Sequence, residues 1–188
     1  MKATLLMLSL LAALCGCTSP PLDIATYQAR PSIAETKSVV FDGKTFMLKF
    51  HKEGLWEFVP AQESIDAWNE LVDFTVVSRD LNRFTPLDLA KRAIALHQQE
   101  NPNMPAILLT DNKTGIDYSM HFYPDSLRKD GQFSEISYFK YYRDSVTGQT
   151  IIFHYARNIP KPSNPSESAI AIGREIVPQI EAFPLYRP

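Results

Sequence analysis

Residues 135–156 read EISYFKYYRDSVTGQTIIFHYA, and this stretch decides the fold class. Two runs rich in β-branched and aromatic residues flank the segment Asp144-Ser145-Val146-Thr147-Gly148. Such side chains favour strands. Asp and Gly favour the connecting turn, because Asp accepts hydrogen bonds from turn amides and Gly adopts the left-handed conformation. The stretch therefore predicts an antiparallel hairpin.

The same turn pattern, Asp-x-x-Thr-Gly, recurs at Asp111-Asn112-Lys113-Thr114-Gly115 between apolar runs at 106–110 and 117–123. A cation-binding loop is an alternative interpretation of both segments. Calcium loops need oxygen ligands at alternating positions, and Lys113 and Val146 occupy such positions here. Two ordinary hairpin turns are therefore the favoured interpretation.

The remaining periodicities complete an α+β pattern. Asp42-Gly43 predicts a type I′ hairpin in a three-stranded meander over 39–59. Three helices are predicted: 64–72 with Ser64 as N-cap, 85–100 with Thr85 as N-cap, and one beginning after Asn164 that ends or kinks near Pro178. We expect a mainly antiparallel sheet of about seven or eight strands with three helices.

Aromatic residues crowd the second half of the chain, and two interpretations are open. Within 135–143, Tyr138 and Phe139 point to opposite faces, as in a central strand covered on both sides. Alternatively, an exposed tyrosine patch serves as a docking face, since Tyr and Arg concentrate in protein interfaces. The candidate patch for binding a partner protein consists of Tyr123, Tyr141, Arg143 and His154.

No local motif indicates catalysis, a metal or a cofactor. The nucleophile-elbow pattern Gly-x-Ser-x-Gly is absent from the sequence. His97 and Glu100 share a helix face, but an imidazolium at the helix C-terminus is the favoured role of His97. The net charge of −2 without a basic stripe argues against a nucleic-acid binder. We predict that the protein is not an enzyme.

The N-terminal segment has the features of a secretory signal. Lys2 precedes an apolar run over 5–14, too short to span a bilayer, followed by Leu14-Cys15-Gly16-Cys17. These four residues resemble the bacterial lipobox. The resemblance implies a signal peptide over 1–16, diacylglyceryl modification of Cys17, and a lipid-anchored protein facing the periplasm. Thr18, in place of Asp, favours the outer membrane over the inner one.

The predicted organisation is a lipidated flexible tether over 17–36 and one sandwich domain over 37–183. The element order, with Trp56 and Trp68, resembles the PsbP-like α/β/α sandwich, which includes bacterial lipoproteins of the DcrB type. This family resemblance implies a fold and no functional residues.

Three functions follow as expectations. The first is a non-catalytic protein-binding module of the cell envelope, of the immunity or complex-accessory type. The alternative is a carrier of a small ligand or lipid, which would show an apolar pocket between sheet and helix. The third is a hydrolase whose site is assembled in space.

Overall fold

A computed structural model of the chain describes residues 24–111, 114–124 and 131–188. Its elements are α1 (Ile24–Gln28), β1 (Ser38–Phe41), β2 (Lys44–Lys52), β3 (Leu55–Pro60), β4 (Glu70–Val76), α2 (Pro86–Glu100), β5 (Ala106–Thr110), β6 (Asp117–Tyr123), β7 (Phe133–Arg143), β8 (Thr150–Pro160) and α3 (Pro165–Ala182). The strands form one sheet in the order β1-β2-β3-β4-β8-β7-β6-β5, with every neighbouring pair antiparallel. The predicted α+β class with a mainly antiparallel sheet is confirmed.

The hairpin of β7 and β8 is the longest pairing in the sheet, and its turn has the predicted chemistry. Asp144 Oδ1 accepts hydrogen bonds from the backbone N–H of Val146 (3.1 Å) and Thr147 (2.7 Å). Gly148 has a φ of +69°, the left-handed conformation that this turn requires. The ladder then extends from Arg143–Thr150 to Phe133–Pro160. The Asp-x-x-Thr-Gly hairpin is confirmed.

The two other predicted turns are also confirmed. In the β5–β6 connection, Gly115 N–H donates to Asp111 O at 2.8 Å and the Thr114 hydroxyl donates to Asp111 Oδ2 at 2.6 Å. Asn112 and Lys113 of that turn lie outside the described residues. Between β1 and β2, Asp42 and Gly43 have φ values of +49° and +69°, as a type I′ turn requires.

The predicted helix over 64–72 is wrong. Residues 61–69 form a loop and β4 begins at Glu70. The Glu63 carboxylate closes the loop by accepting from the N–H (2.8 Å) and side-chain amide (2.9 Å) of Asn69. Ile65 and Trp68 then pack on a small apolar cluster of the sheet. Ile65 and Trp68, three residues apart, therefore anchor a loop to the sheet and do not form the apolar face of a helix.

Both long helices begin at their predicted caps. Thr85 and Asp88 form a reciprocal capping box at α2, and the Asn164 side chain accepts two backbone N–H groups at the start of α3. The sequence predicts that α3 ends or kinks near Pro178; an end there is wrong, because the helix continues to Ala182, and the kink stays a prediction. Pro178 removes only its own N–H, and burial of Ile180 (1% exposed) holds the next turn against the sheet.

The sheet is covered on both faces. α3 and the residues after it pack over one face, where Phe183 and Tyr186 contact the aromatic core. α2 packs over β5, β6 and β7 on the opposite face. No helix of the described residues is long and apolar enough to cross a membrane.

A buried lysine joins the end of α3 to the sheet. Lys140 of β7 is 2% exposed, and its Nζ donates to the backbone carbonyls of Ile180 (2.9 Å), Glu181 (3.3 Å) and Phe183 (2.7 Å). The carbonyls of Ile180 and Glu181 belong to the last turn of α3, where carbonyl groups lack partners from the next helical turn. Burial lowers the pKa of Lys140 to about 8. The ammonium group thus adds to the backbone C-cap, in which Phe183 N–H donates to Ile180 O at 3.3 Å.

The domain extends beyond the predicted boundaries at 37 and 183. Ile33 is fully buried, and its N–H donates to Arg187 O at 2.9 Å. Arg187 N–H in turn donates to Pro31 O at 3.0 Å, and Tyr186 is buried. From Pro31 onward, residues predicted as tether therefore pack against the folded domain, because the C-terminal segment gives Ile33 an apolar site.

Candidate functional site

The four residues of the predicted docking patch share the face of the sheet that α2 covers, but they form no exposed patch. Tyr141 is 2% exposed, and its hydroxyl lies 3.0 Å from Ser119 Oγ. Tyr123 is partly buried, with its ring against those of His97 and His121. The expectation of an exposed tyrosine patch is wrong at Tyr141, because the α2 side of the sheet is covered there.

The other two patch residues hold the domain together. Arg143 is exposed, but its Nη2 donates to the carbonyls of Asn82 (2.9 Å) and Phe84 (2.8 Å) in the loop before α2. His154 Nδ1 lies 2.5 Å from Asp73 Oδ2, and its ring stacks on Phe139 with centroids 4.1 Å apart. Each side chain is therefore engaged within the fold.

The aromatic residues of β6, β7 and β8 belong mainly to the core. The buried tyrosines of these three strands are Tyr118, Tyr138, Tyr141, Tyr142 and Tyr155. Burial raises the pKa of Tyr118 and of Tyr141 to about 12. The alternative interpretation, a central strand covered on both faces, is confirmed for β7.

A serine and a histidine meet beneath α2, and both are buried. Ser119 Oγ lies 2.8 Å from His121 Nε2, and both residues are 1% exposed. Burial lowers the pKa of His121 to about 4, so its imidazole is neutral at pH 7. His121 Nδ1 has no hydrogen-bond partner among the described residues. The carboxylate of Asp73 bonds to His154, so no Ser-His-Asp relay is assembled there.

His97 does not act as a charged group at the helix end, contrary to expectation. It is 2% exposed, and neither ring nitrogen has a partner among the described residues. Burial lowers its pKa, although Glu100 acts in the opposite direction. Its ring meets those of His121 (5.1 Å) and Tyr123 (4.9 Å) edge to face. The described residues contain no group of three or more His, Cys, Asp or Glu side chains suited to a metal ion.

An acid–imidazole row crosses three strands on the same face. Glu57 of β3 is opposite Asp73 of β4, which is opposite His154 of β8. Burial and the neighbouring Asp73 raise the pKa of Glu57. Burial lowers the pKa of His154, whereas the charge of Asp73 and its hydrogen bond raise it. The raising effects are larger together, so the pKa of His154 is raised. No local motif signals this row, because strand pairing alone brings its members together.

An apolar groove lies between α3 and strands β5, β6 and β7. Its volume is about 340 Å³, and its walls include Ile107 and Leu109 of β5 and Val177 of α3. Ile107 and Leu109 are each 41% exposed. Tyr138 lines the groove, and its hydroxyl is buried without a hydrogen-bond partner among the described residues. The groove therefore joins exposed apolar walls to one unsatisfied polar group.

Gly173 of α3 keeps the space beside that hydroxyl open. A Cβ atom at this position would lie 3.6 Å from Tyr138 Oη. Ordinary contact at that distance means that Ala is tolerated, whereas a larger side chain would project into the groove. No local motif around Gly173 indicates a cavity.

A second, polar cleft of about 630 Å³ lies near the start of β4. Lys44 Nζ donates to both carboxylate oxygens of Glu70 at 2.7 and 2.8 Å, and Arg157 Nε lies 3.6 Å from the same carboxylate. Its charged side chains thus satisfy one another. The apolar groove, whose surface has no such internal partners, is the better candidate for binding.

The comparisons with known proteins concern the whole domain. No curated protein and no solved structure matches the chain. A protein-family model matches residues 33–180, a segment that begins at the fully buried Ile33 and ends at the buried Ile180 of α3. The matched segment contains the eight strands and the groove. The chain belongs to the protein family that this model defines.

Proposed function

We propose that the protein is a lipid-anchored, non-catalytic protein of the bacterial cell envelope that binds an apolar ligand in the groove between α3 and β5. The observation that carries the binding proposal is the groove itself, with its exposed apolar walls and the unsatisfied hydroxyl of Tyr138. Anchoring rests on Leu14-Cys15-Gly16-Cys17, which lie outside the described residues. Thr18 supports a periplasm-facing position at the outer membrane.

The size and surface of the groove suit a small apolar molecule or an acyl chain. Ligand sites are concave, mostly apolar and roughly 300–1,000 Å³ in volume. The groove of about 340 Å³ falls at the lower end of that range. Its exposed Ile107 and Leu109 would leave water on binding, which is the main favourable contribution for an apolar ligand.

The hydroxyl of Tyr138 specifies one polar atom of the ligand. A buried hydroxyl without a partner costs roughly 1–3 kcal/mol. A carbonyl or ether oxygen at the floor of the groove would accept from Tyr138 Oη and remove this cost. The ligand is therefore an apolar molecule that presents one oxygen acceptor.

The absence of catalysis is part of the proposal and is supported by the geometry beneath α2. A hydrolytic serine must be accessible to its substrate and oriented with a base. Ser119 and His121 are each 1% exposed, and the carboxylate of Asp73, which could otherwise orient a base, is hydrogen-bonded to His154. The polar groups under α2 serve packing.

Titration with a fluorescent fatty acid, 11-(dansylamino)undecanoic acid, tests the binding proposal. We expect saturable enhancement of dansyl fluorescence by the wild-type protein. Gly173→Leu fills the groove and should weaken binding at least tenfold, whereas Ala171→Leu, on the exposed side of the same helix, should bind as wild type. Tyr138→Phe removes one hydrogen bond and should weaken binding about fivefold. Unchanged affinity in a folded Gly173→Leu protein would exclude the groove.

A second candidate function, binding of another envelope protein, is favoured by the edge strand β5. Its residues, Ala106–Thr110, carry no charge, although edge strands are commonly protected by charged residues or proline. An extended segment of a partner could pair with such an edge. A photocrosslinking residue at Leu109 should then capture one defined envelope protein, and a matched probe at Val40 on the opposite edge strand should not. Absence of a crosslink at both positions would exclude this candidate.

We also propose that the fold is the PsbP-like α/β/α sandwich. Placement of α2 and α3 on opposite faces of the sheet supports a three-layer arrangement. An experimental structure superposed on members of that fold family tests the proposal, and a different strand order in those members would exclude it.

A further inference from the structure

Three segments meet at one end of the domain, and we call this surface the anchor end. It comprises α1 with Arg30, the loop 78–84 and the turn 143–149. Arg187 lies beside α1, where its Nε donates to Arg30 O at 3.3 Å. Tyr27 Oη donates to Asp144 Oδ1 at 3.2 Å, which joins α1 to the turn. Asn82 Nδ2 donates to Gly148 O at 3.0 Å, which joins the loop to the same turn. These contacts make the three segments one continuous surface.

The anchor end exposes three large apolar side chains. Ile24 is 63% exposed, Val146 is 50% exposed and Leu81 is 49% exposed. Ile24 and Val146 border the same open cavity of about 570 Å³, together with Tyr27. Single exposed apolar residues are ordinary on protein surfaces. Three of them on adjoining segments, beside a tyrosine, form the apolar part of an interaction surface.

The segments of the anchor end carry more arginines than carboxylates. Five arginines lie on its segments: Arg30, Arg79, Arg83, Arg143 and Arg187. These segments carry two carboxylates, Asp80 and the fully buried Asp144. Glu35, Glu53 and Asp111 lie nearby at the same end of the sheet, where Glu35 pairs with Arg187 and Glu53 pairs with Lys52. The arginines of these segments therefore outnumber their carboxylates, although the whole chain has a net charge of −2. A basic surface with exposed apolar side chains is the chemistry of an anionic membrane surface.

The length of chain before Ile24 brings this end toward the bilayer. Cys17 is seven residues from Ile24, a distance of at most about 25 Å for an extended chain. The chain therefore leaves the domain from the same end that carries these arginines and exposed apolar side chains. β8 runs away from this end, from Thr150 to Pro160, over about 33 Å.

We infer that the anchor end is a membrane-docking face that lies on the anionic lipid surface. Ile24, Leu81 and Val146 enter the interfacial region, and the exposed Arg79 and Arg83 contact lipid headgroups. This inference rests on the proposed lipid anchor at Cys17. It goes beyond the anchor because a tether alone leaves the domain free to rotate, whereas docking sets its orientation.

Site-specific labelling tests the inference in the full lipidated chain. Cys15 and Cys17 are the two cysteines of the sequence; the first leaves with the signal peptide and the second is consumed by the thioether. The environment-sensitive fluorophore NBD can therefore be placed at Val146→Cys, with Leu96→Cys as the control. Leu96 is 55% exposed and lies about 15 Å along α2 from Pro86.

The labelled proteins are reconstituted into vesicles of phosphatidylethanolamine and phosphatidylglycerol, with or without brominated acyl chains. We expect bromolipid to quench the label at position 146 at least twofold and to leave the label at 96 unchanged. Vesicles of zwitterionic phosphatidylcholine should reduce the quenching at 146. Equal, weak quenching at both positions in an acylated protein would overturn the docking face and leave the anchor intact.

Intact-protein mass spectrometry separates this failure from failure of the proposed anchor. An acyl-bearing mass with no preferential quenching at 146 refutes docking alone. A mass without acyl groups refutes the anchor and the docking that rests on it. Ligand binding in the groove is measured by dansyl fluorescence and is independent of both results.

Discussion

The buried imidazole of His121 predicts that mild acid destabilises the fold. His121 is 1% exposed, and burial lowers its pKa from 6.5 to about 4, with the charges of His97 and His154 acting in the same direction. In the unfolded chain the group returns to its ordinary value near 6.5. Between those two values the unfolded state binds more protons than the folded state. The loss of folding stability due to His121 is therefore absent well above pH 6.5 and grows as the pH falls toward 4.

The expected magnitude follows from that difference in pKa. One unit corresponds to about 1.4 kcal/mol, so His121 accounts for about 3 kcal/mol in all, and for about 2 kcal/mol between pH 7.5 and pH 5.0. His97, whose pKa is also lowered, adds to the loss. His154 opposes it, because its pKa is raised: its contribution is present below pH 6.5 and is lost as the pH rises through its folded value. Only comparison with a variant therefore isolates His121.

Urea unfolding followed by circular dichroism measures this effect. The wild-type protein should lose about 2 kcal/mol more free energy of unfolding than His121→Gln when the pH is lowered from 7.5 to 5.0. His51→Gln, which replaces an exposed histidine of β2, is the control and should keep the wild-type difference. If His121→Gln shows the same loss as the wild type, the imidazole is not a buried neutral group and the reasoning fails.

Three further predictions concern the buried lysine, a turn and the anchor. Lys140→Met should lower the free energy of unfolding by about 3 kcal/mol, because three hydrogen bonds from the ammonium group to carbonyls at the end of α3 are lost. Lys52→Met at an exposed position should change it little, and urea unfolding measures both variants. Gly54→Ala should be more destabilising than Gly115→Ala. Both glycines have positive φ, so either substitution should lower the free energy of unfolding by about 1–2 kcal/mol. Only at Gly54 would the new Cβ also lie 3.0 Å from a carbonyl oxygen of β4, and urea unfolding measures the difference. Cys17→Ser should remain folded by circular dichroism and leave the membrane fraction; retention in that fraction would contradict the lipid anchor.

The parts of the fold that sequence predicts well depend on adjacent residues. Asp42-Gly43 specifies its turn because both positions must adopt positive φ, and Thr85 specifies a helix start because its hydroxyl reaches a free N–H three residues on. The helix predicted at 64–72 fails for the opposite reason. There the side chain of Glu63 reaches Asn69, and this tertiary contact outweighs the helical spacing of Ile65 and Trp68.

The site depends on pairings that no local pattern contains. The alternation of β7 correctly separates Tyr138 from Tyr141, but whether either face is covered depends on where α2 and α3 pack. Asp73 and His154 are 81 residues apart and meet because β4 pairs with β8. The groove likewise appears only when α3 is placed over the sheet, and the unsatisfied hydroxyl of Tyr138 becomes visible only then.

The open groove is a consequence of the dimensions of the sheet. Eight strands at about 4.8 Å spacing give a sheet about 34 Å wide, whereas one helix with its side chains is about 10–12 Å across. α3 with Phe183 and Tyr186 therefore covers the middle of its face and leaves the β5 end open. A face left to water would be expected to carry polar residues there. Instead, the exposed residues at that end include Ile107 and Leu109. Folding alone does not require apolar side chains there, and their presence is the physical reason to expect a ligand.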